Sequence, residues 1–128
     1  KGLLNPRDVE PALSAGVAGI VVSNHGGRTL DTVPATIDCL PAIAAQVRGR
    51  VPLLLDGGIR RGTDIVKAIA LGATAVMVGQ PVLHALAVGG MPGVAHMLTL
   101  LQAELEVAMA LTGRPTLDAI DASVLAPR

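Results

Sequence analysis

The chain has 128 residues, of which 51% are hydrophobic, and its ten Lys and Arg residues balance its ten Asp and Glu residues. This length and hydrophobic fraction suffice for one packed domain, and the zero net charge gives no reason to expect a nucleic acid or an anionic membrane as partner. Because Gly, Pro, Asn and charged residues interrupt every apolar run, none reaches the roughly 18 consecutive apolar residues of a membrane span.

The chain starts with Lys1 rather than Met, and no charged and then apolar signal segment follows. We therefore expect the C-terminal part of a longer chain whose N-terminal part is absent. The first helix is predicted to begin at Asn5-Pro6, where Asn caps the helix and Pro takes its first position, and to end near Gly16. Residues 19 to 23 are apolar and mostly β-branched, which predicts a strand buried on both faces.

A second helix is predicted from about Ala35 to Val47, although Pro41 inside it removes one helix hydrogen bond. Cys39 lies in this helix and is expected to be a small buried hydrophobic residue. Because it is the only cysteine, it cannot form an internal disulfide, and a reducing, cytoplasmic location is predicted.

The same order of strand, loop and helix then repeats. Residues 51 to 55 predict a second buried strand, a helix follows from Thr63 to Leu71, and residues 75 to 78 predict a third strand. Downstream, a short helical stretch covers residues 81 to 90, and the longest helix is predicted from Pro92 to about Leu111.

Regular alternation of strands and helices indicates βαβ units with right-handed crossovers, and hence a parallel sheet in an α/β protein. Three strands cannot close a parallel barrel, and a polar cluster follows each of them, where (β/α)8 barrels bind their ligands. We therefore predict that residues 1 to 128 are the last units and the C-terminal helix of a single (β/α)8 TIM-barrel domain. The missing N-terminal half of the barrel is then an expected partner.

Three polar clusters follow the predicted strands, at residues 23 to 28, 56 to 62 and 79 to 81. In the second and third clusters, glycines allow backbone N–H groups to approach an anion closely, and Arg60 can add a charge-assisted contact. Phosphate sites of these barrels commonly lie in the loops after the last two strands. The sequence therefore predicts a phosphate-binding site formed by these two clusters.

His25 and Arg28 lie close together in the first cluster, so both side chains could face one small anion. A neutral imidazole can take a proton from an alcohol, and a guanidinium can bind a carboxylate through two parallel hydrogen bonds. A loop histidine satisfied by the backbone is the alternative interpretation. His84 and His96 lie in helical stretches without metal-ligand spacing, so no metal site is predicted.

Residues 23 to 28, Ser-Asn-His-Gly-Gly-Arg, resemble the signature of the FMN-dependent α-hydroxy acid oxidases and dehydrogenases. This family includes glycolate oxidase, lactate oxidase, mandelate dehydrogenase and hydroxymandelate oxidase. Residues 55 to 64 and 78 to 81 resemble its flavin-phosphate loops in order and spacing. The resemblance covers nearly the whole chain, to about Gly113, and is most specific at residues 24 to 28.

The resemblance implies FMN as the cofactor and a role for each matching residue. His25 would accept the proton of the α-hydroxyl group, and Arg28 would bind the substrate carboxylate. Lys1 would lie against the flavin ring and stabilise the negative charge of reduced FMN. The other residues implied to bind the cofactor are Ser23, Asp56, Gly57, Gly58, Ile59, Arg60, Gly79 and Gln80. Gln80 departs from the arginine usual at its position, so FMN binding would be weaker if that side chain takes part.

The implied reaction is the FMN-dependent oxidation of a small 2-hydroxy acid to a 2-oxo acid, and the implied assembly is a homotetramer. Substrates of the glycolate, lactate and mandelate types fit equally, as do oxygen, quinone and cytochrome acceptors. One alternative is a nucleotide-binding barrel dehydrogenase resembling inosine monophosphate dehydrogenase, which only the Asp56 loop supports. A non-catalytic half-barrel fragment is the other.

Overall fold

The computed structural model describes residues 1 to 126, in which four α-helices alternate with three strands. We label the helices α1 (Val9–Ser14), α2 (Thr36–Val47), α3 (Gly62–Ala70) and α4 (Gln80–Leu111), and the strands β1 (Ile20–Ser23), β2 (Leu53–Asp56) and β3 (Ala75–Met77). Short 3-10 turns cover Pro6–Asp8, His25–Gly27, Leu117–Ala119 and Ala122–Val124. Each predicted strand and helix is present, with small shifts at its ends.

The three strands form one parallel sheet in the order β1-β2-β3 within the described part of the chain. Leu3 adds an isolated parallel bridge to Val22, so the first residues of the chain run along the free side of β1. Parallel strands need crossover connections, and α2 and α3 supply them. The predicted βα organisation is confirmed.

The hydrophobic core lies between the sheet and helices α1, α2 and α3. Its members are apolar side chains that are at most 5% exposed: Val9, Ile20, Val22, Leu40, Ile43, Val47, Leu53, Leu55, Ile59, Ala68 and Ala73. β1 is buried along its length apart from half-buried Val21, in agreement with the prediction. β3 is different, because Ala75 and Met77 are exposed and only Val76 is half-buried.

Helix α2 continues through Pro41, whose side chain is exposed. Cys39 was expected to be a small buried residue, and it is half-buried and packs against the core. It lies on the flank of the helix face that carries Leu40 and Ile43 into the core. Burial and the neighbouring Asp38 charge raise the pKa of the Cys39 thiol, which therefore stays protonated and weakly reactive.

Helix α4 is interrupted at Gly90, which has φ 57° and ψ −147°. The predicted division into a short and a long helical stretch is therefore confirmed. By length and composition, α4 could also cross a membrane. Its most apolar 18-residue window has a mean hydropathy of 1.3, and 11% of that window is buried. The sequence pattern did not predict this, because Gly89, Gly90, Pro92 and Gly93 interrupt the apolar run. The break and the packing of the second half of α4 on α3 distinguish it from a straight apolar span.

Candidate active site

Three polar loops meet at one edge of the sheet. β1 and β2 end side by side, because Ser23 pairs with Asp56 in the strand register, and Asp56 pairs with Met77 of β3. Since the strands are parallel, the loops that follow them all leave from this edge. The structure thus brings the three predicted polar clusters to the same side of the molecule.

Lys1, Ser23 and Asp56 form a hydrogen-bonded network at this edge. The Lys1 Nζ atom lies 2.5 Å from Asp56 Oδ2 and 3.1 Å from Ser23 Oγ. The Ser23 hydroxyl donates to the same Asp56 oxygen at 2.6 Å and accepts the backbone N–H of His25 at 3.1 Å. One buried hydroxyl therefore connects the Lys1–Asp56 ion pair to the backbone of the predicted base.

The first residues of the chain are held in place by β1. The Gly2 N–H group donates to the Val21 carbonyl at 3.2 Å, and the Leu3 bridge to Val22 follows directly. This pairing holds the start of the chain beside β1, and from there the Lys1 side chain extends to Ser23 and Asp56 at the end of the strands. It explains why the Lys1 ammonium reaches a network whose other members lie far away in the sequence.

The network also sets the charge state of Asp56. Burial of this carboxyl favours its neutral form, but the hydrogen bonds from Lys1 and Ser23 and the charges of Lys1 and His25 outweigh that effect. The pKa of Asp56 is therefore held below its ordinary value of 3.8. At neutral pH, the carboxylate is ionised and keeps the Lys1 ammonium at the edge of the sheet.

His25 lies in a 3-10 turn of unusual backbone conformation. His25, Gly26 and Gly27 have φ of 54°, 69° and 70°, and the Asn24 side chain accepts the Gly26 N–H at 3.0 Å. A left-handed conformation costs a residue with a Cβ about 1 to 2 kcal/mol, so the turn is strained at His25 and relaxed at the two glycines. Arg28 ends the turn, and the predicted catalytic pair thus shares one exposed loop.

The loop after β2 turns through two left-handed glycines, Gly57 with φ 109° and Gly58 with φ 81°. The buried hydroxyl of Thr36 donates to the Gly57 carbonyl at 3.2 Å. A Cβ on Gly57 would lie 3.1 Å from the Asn24 side chain, so the first and second loops touch here. Asn24 therefore supports the site through its local bond to Gly26 and its contact with Gly57, and Thr36 supports it from a distance that no local sequence pattern indicates.

Arg60 and Arg61 follow in the same loop. Both backbone N–H groups donate to Asp64 Oδ2 at 3.1 Å, which caps the start of α3. The Arg61 side chain pairs with Glu104 at 3.2 Å. The exposed Arg60 guanidinium has no hydrogen-bond or ion-pair partner among residues 1 to 126, so it is available for an anion.

Gly79 and Gln80 lie at the start of α4. The Gly79 carbonyl accepts the N–H groups of Val82 and Leu83, at 3.0 and 3.3 Å, and Gln80 is the exposed first residue of the helix. This third loop therefore presents a helix N-terminus at the same edge, as expected from the sequence, and such an end favours anions.

A cavity of about 810 Å³ lies next to these loops. Asn24, Gly57 and Gly58 contribute to its wall, whereas its remaining lining comes mainly from α2, α3 and the end of the chain. None of Lys1, His25 and Arg28 lines it. The cavity is therefore separate from the predicted catalytic groups, which are exposed.

The chemistry of this edge fits a phosphate-bearing cofactor such as FMN. Two consecutive left-handed glycines, an unpaired guanidinium and a helix N-terminus are groups that bind phosphate. Asp56 and Ser23 hold the Lys1 ammonium at the same edge. The residues present are thus suited to an anionic cofactor and an acid substrate.

Comparison with known proteins agrees with this chemistry. The model of the FMN-dependent dehydrogenase family matches residues 1 to 127. The 2-hydroxyacid oxidase of Dictyostelium discoideum is 56% identical over 125 residues, which are 98% of this chain and 32% of that protein. The L-lactate oxidase of a Nostoc species is 58% identical over 125 residues, again 98% of this chain and 34% of that protein.

Solved structures show the same relationship. A lactate oxidase of Pediococcus acidilactici superposes with a TM-score of 0.92 at 46% identity, over 95% of this chain and 34% of that one. Mandelate oxidase with benzoyl-formic acid superposes with a TM-score of 0.90 at 50% identity, over 93% of this chain and 36% of that one. These proteins are TIM barrels, so the predicted fold class is confirmed, and the chain spans about a third of their length. The chain belongs to the FMN-dependent dehydrogenase family.

Proposed function

We propose that the protein containing this chain uses FMN to oxidise a small 2-hydroxy acid to a 2-oxo acid, with His25 as the base and Arg28 as the carboxylate-binding residue. The proposal rests on the Lys1–Ser23–Asp56 network, which fixes the backbone of His25 beside the phosphate-type loops. The similar proteins are named 2-hydroxyacid, L-lactate and mandelate oxidases, which supports this substrate class.

FMN supplies the redox chemistry when it is bound, because its ring accepts two electrons. This chain supplies the binding groups. Arg60 and the loop glycines would hold the phosphate and ribityl groups, together with the other proposed cofactor-binding residues Ser23, Asp56, Ile59, Gly79 and Gln80. The Lys1 ammonium, oriented by Asp56, would place a positive charge where negative charge develops.

Arg28 and His25 would act on the substrate from one turn of the chain. The planar Arg28 guanidinium can hold the carboxylate through two parallel hydrogen bonds, which fixes the α-carbon and its hydroxyl. The His25 ring can then take the hydroxyl proton at one of its nitrogen atoms. Holding the reacting groups in place lowers the activation barrier, because their translational and rotational freedom is lost when the substrate binds rather than in the chemical step.

The complete site needs more of the barrel than these residues provide. We propose that the remaining strands come from a preceding segment of the same protein and that the enzyme is a homo-oligomer. The share of the relatives that this chain spans supports the first point, and the exposed apolar side chains of α4 support the second. A cytoplasmic location remains a prediction. The family match over residues 1 to 127 favours this proposal over a barrel resembling inosine monophosphate dehydrogenase.

The test is a His25→Gln substitution in the complete, FMN-loaded protein. Anaerobic stopped-flow absorbance with glycolate, lactate and mandelate should show flavin reduction slowed by about 10²- to 10⁴-fold, the usual contribution of a positioned base. FMN content should stay unchanged. His84→Gln, in an exposed residue of α4, is the matched control and should reduce flavin at the wild-type rate. Equal rates in the two variants would exclude His25 as the base.

A further inference from the structure

The imidazole ring of His25 lies directly against Gly2. A Cβ built on Gly2 would be 2.8 Å from Cε1 of His25, 3.3 Å from Nε2 and 3.8 Å from Nδ1. A Cβ essentially never lies within 3.0 Å of a heavy atom outside its own residue and the two neighbouring residues. The place of the ring is therefore compatible only with a residue that has no side chain at position 2.

Both backbones at this contact are held by hydrogen bonds. Gly2 is fixed by its N–H bond to Val21 and by the pairing of the next residue with β1. His25 is fixed by the bond from its N–H to the Ser23 hydroxyl. Within residues 1 to 126, the His25 ring itself has no hydrogen bond. A side chain at position 2 would thus displace the ring rather than either backbone.

We propose that Gly2 is a positioning residue, which sets the place of the His25 ring by leaving space for it. This inference rests on the proposed function, in which the ring takes the substrate proton. Gly2 touches the Cε1–Nε2 edge of the ring, so a side chain there would move a nitrogen atom of the proposed base. The three heavy atoms nearest to that Cβ all belong to the His25 ring.

Gly2 also has φ 101°, so an alanine there is strained for a second reason. Gly16 separates the two effects. It has φ 79°, and a Cβ on it would meet nothing within 4 Å among the described residues. Gly16→Ala therefore introduces left-handed strain without touching the ring, and it is the matched control for Gly2→Ala.

The experiment compares the two variants in the complete, FMN-loaded protein. For Gly2→Ala, we expect the rate constant of flavin reduction at saturating substrate to fall by about 10- to 100-fold, as for a misplacement of about 1 Å. The substrate concentration at half-saturation and the Kd for FMN should change less than about threefold. Gly16→Ala should retain the wild-type rate constant. Equal rate constants in the two variants would overturn the inference, even if His25→Gln abolishes reduction and so supports the proposed function.

A second measurement does not depend on activity. Urea unfolding of wild type, Gly2→Ala, His25→Ala and the double variant forms a double-mutant cycle. If the ring is what the new methyl group meets, Gly2→Ala should destabilise the protein less in the His25→Ala background. Should Gly2→Ala fail to fold, the double variant should regain the fold. An equal loss in both backgrounds, or a double variant that also fails to fold, would attribute the effect to backbone strain and overturn the inference.

Discussion

Arg60 and Arg61 are neighbours in the chain but have different surroundings. The Arg61 guanidinium is neutralised by Glu104, whereas that of Arg60 has no partner within the described residues. Both lie just before α3, where the helix macrodipole makes a positive charge mildly unfavourable. For Arg61, the ion pair offsets this effect. For Arg60, an anionic ligand would do so.

We predict that Arg60→Gln weakens FMN binding by about 10- to 100-fold, since a hydrogen bond to a charged group contributes about 1.5 to 3 kcal/mol. Arg61→Gln is the matched control. It removes an exposed ion pair, so the Kd for FMN should stay nearly unchanged and the free energy of unfolding should fall by at most about 1 kcal/mol. Fluorescence titration of the apoprotein with FMN measures both constants. An unchanged Kd for Arg60→Gln would remove this residue from the proposed phosphate site.

The sequence predicted the residues of the site whose chemistry can be read locally. His25 and Arg28 were recognisable because charged and titratable side chains follow a buried strand beside two glycines. Gly2 was not, because its importance comes from a contact with a ring that is distant along the chain. The same holds for Thr36, whose hydroxyl donates to the Gly57 carbonyl, 21 residues away in the sequence.

Helices α3 and α4 approach each other closely at Gly62. A Cβ on Gly62, the first residue of α3, would overlap the backbone of Glu104 and Leu105. The Gly62 N–H also donates to the Glu104 carboxylate at 2.9 Å. This hydrogen bond holds the start of α3 against α4, and the absence of a side chain on Gly62 allows the two backbones to come this close.

We predict that Gly62→Ala destabilises the protein by about 3 kcal/mol, because backbone atoms cannot move away as a flexible side chain can. Gly89→Ala is the matched control. Gly89 lies inside α4 with open space around it, so alanine should be neutral or should stabilise the protein by up to about 1 kcal/mol. Urea unfolding of the two variants measures both changes. Similar stabilities would show that α4 can move away from α3 at little cost.

The strands and helices could be predicted from sequence because each has a local pattern, such as the apolar run of β1 or the glycine that ends α3. The half-exposed state of β3 could not. Burial of a strand depends on the elements beside it, and residues 1 to 126 place β3 at one edge of the sheet. Spacing along the chain does not contain that information.

At the scale of the whole molecule, three carboxyl groups link folding to pH. The hydrogen bond from Arg50 lowers the pKa of exposed Glu10 below 4.5. Hydrogen bonds from Ser123 lower the pKa of exposed Asp121 below 3.8. The pKa of Asp56 is lowered by the network with Lys1 and Ser23. Each lowered pKa means that the unfolded chain binds the proton more tightly. Their stabilising effect is therefore complete above the ordinary values and is lost as the pH falls through the folded-state values.

We predict that the difference in unfolding free energy between wild type and Asp56→Asn is largest near neutral pH and narrows as the pH falls below 3.8. Glu10→Gln serves as the control. Its ion pair with Arg50 is exposed and screened by solvent, so the same difference should be much smaller for this variant than for Asp56→Asn at every pH. Urea midpoints measured from about pH 7 to about pH 2.5 give the three curves. A constant difference for Asp56→Asn would mean that its charge does not contribute to stability.

Predicting the whole molecule from this sequence has a physical limit. The chain forms three parallel strands and covers about a third of its relatives, so a closed barrel depends on strands that lie outside it. Val88, Met91 and Leu111 of α4 are 91%, 81% and 84% exposed. Apolar side chains this open are normally covered in a mature assembly. The fold class could be inferred from the repeat, whereas the surroundings of α4 could not.

One carboxylate oxygen of Asp56 serves both Lys1 and Ser23, and this sharing restricts how the sequence can evolve. Replacement of any one of the three residues leaves the other two with an unpaired charge or an unsatisfied hydrogen-bond donor. Single substitutions at these positions should therefore be tolerated poorly. Substitutions at the three positions are then coupled, and other functional combinations of residues are reached mainly when more than one position changes. These positions should therefore vary together among descendants of this chain.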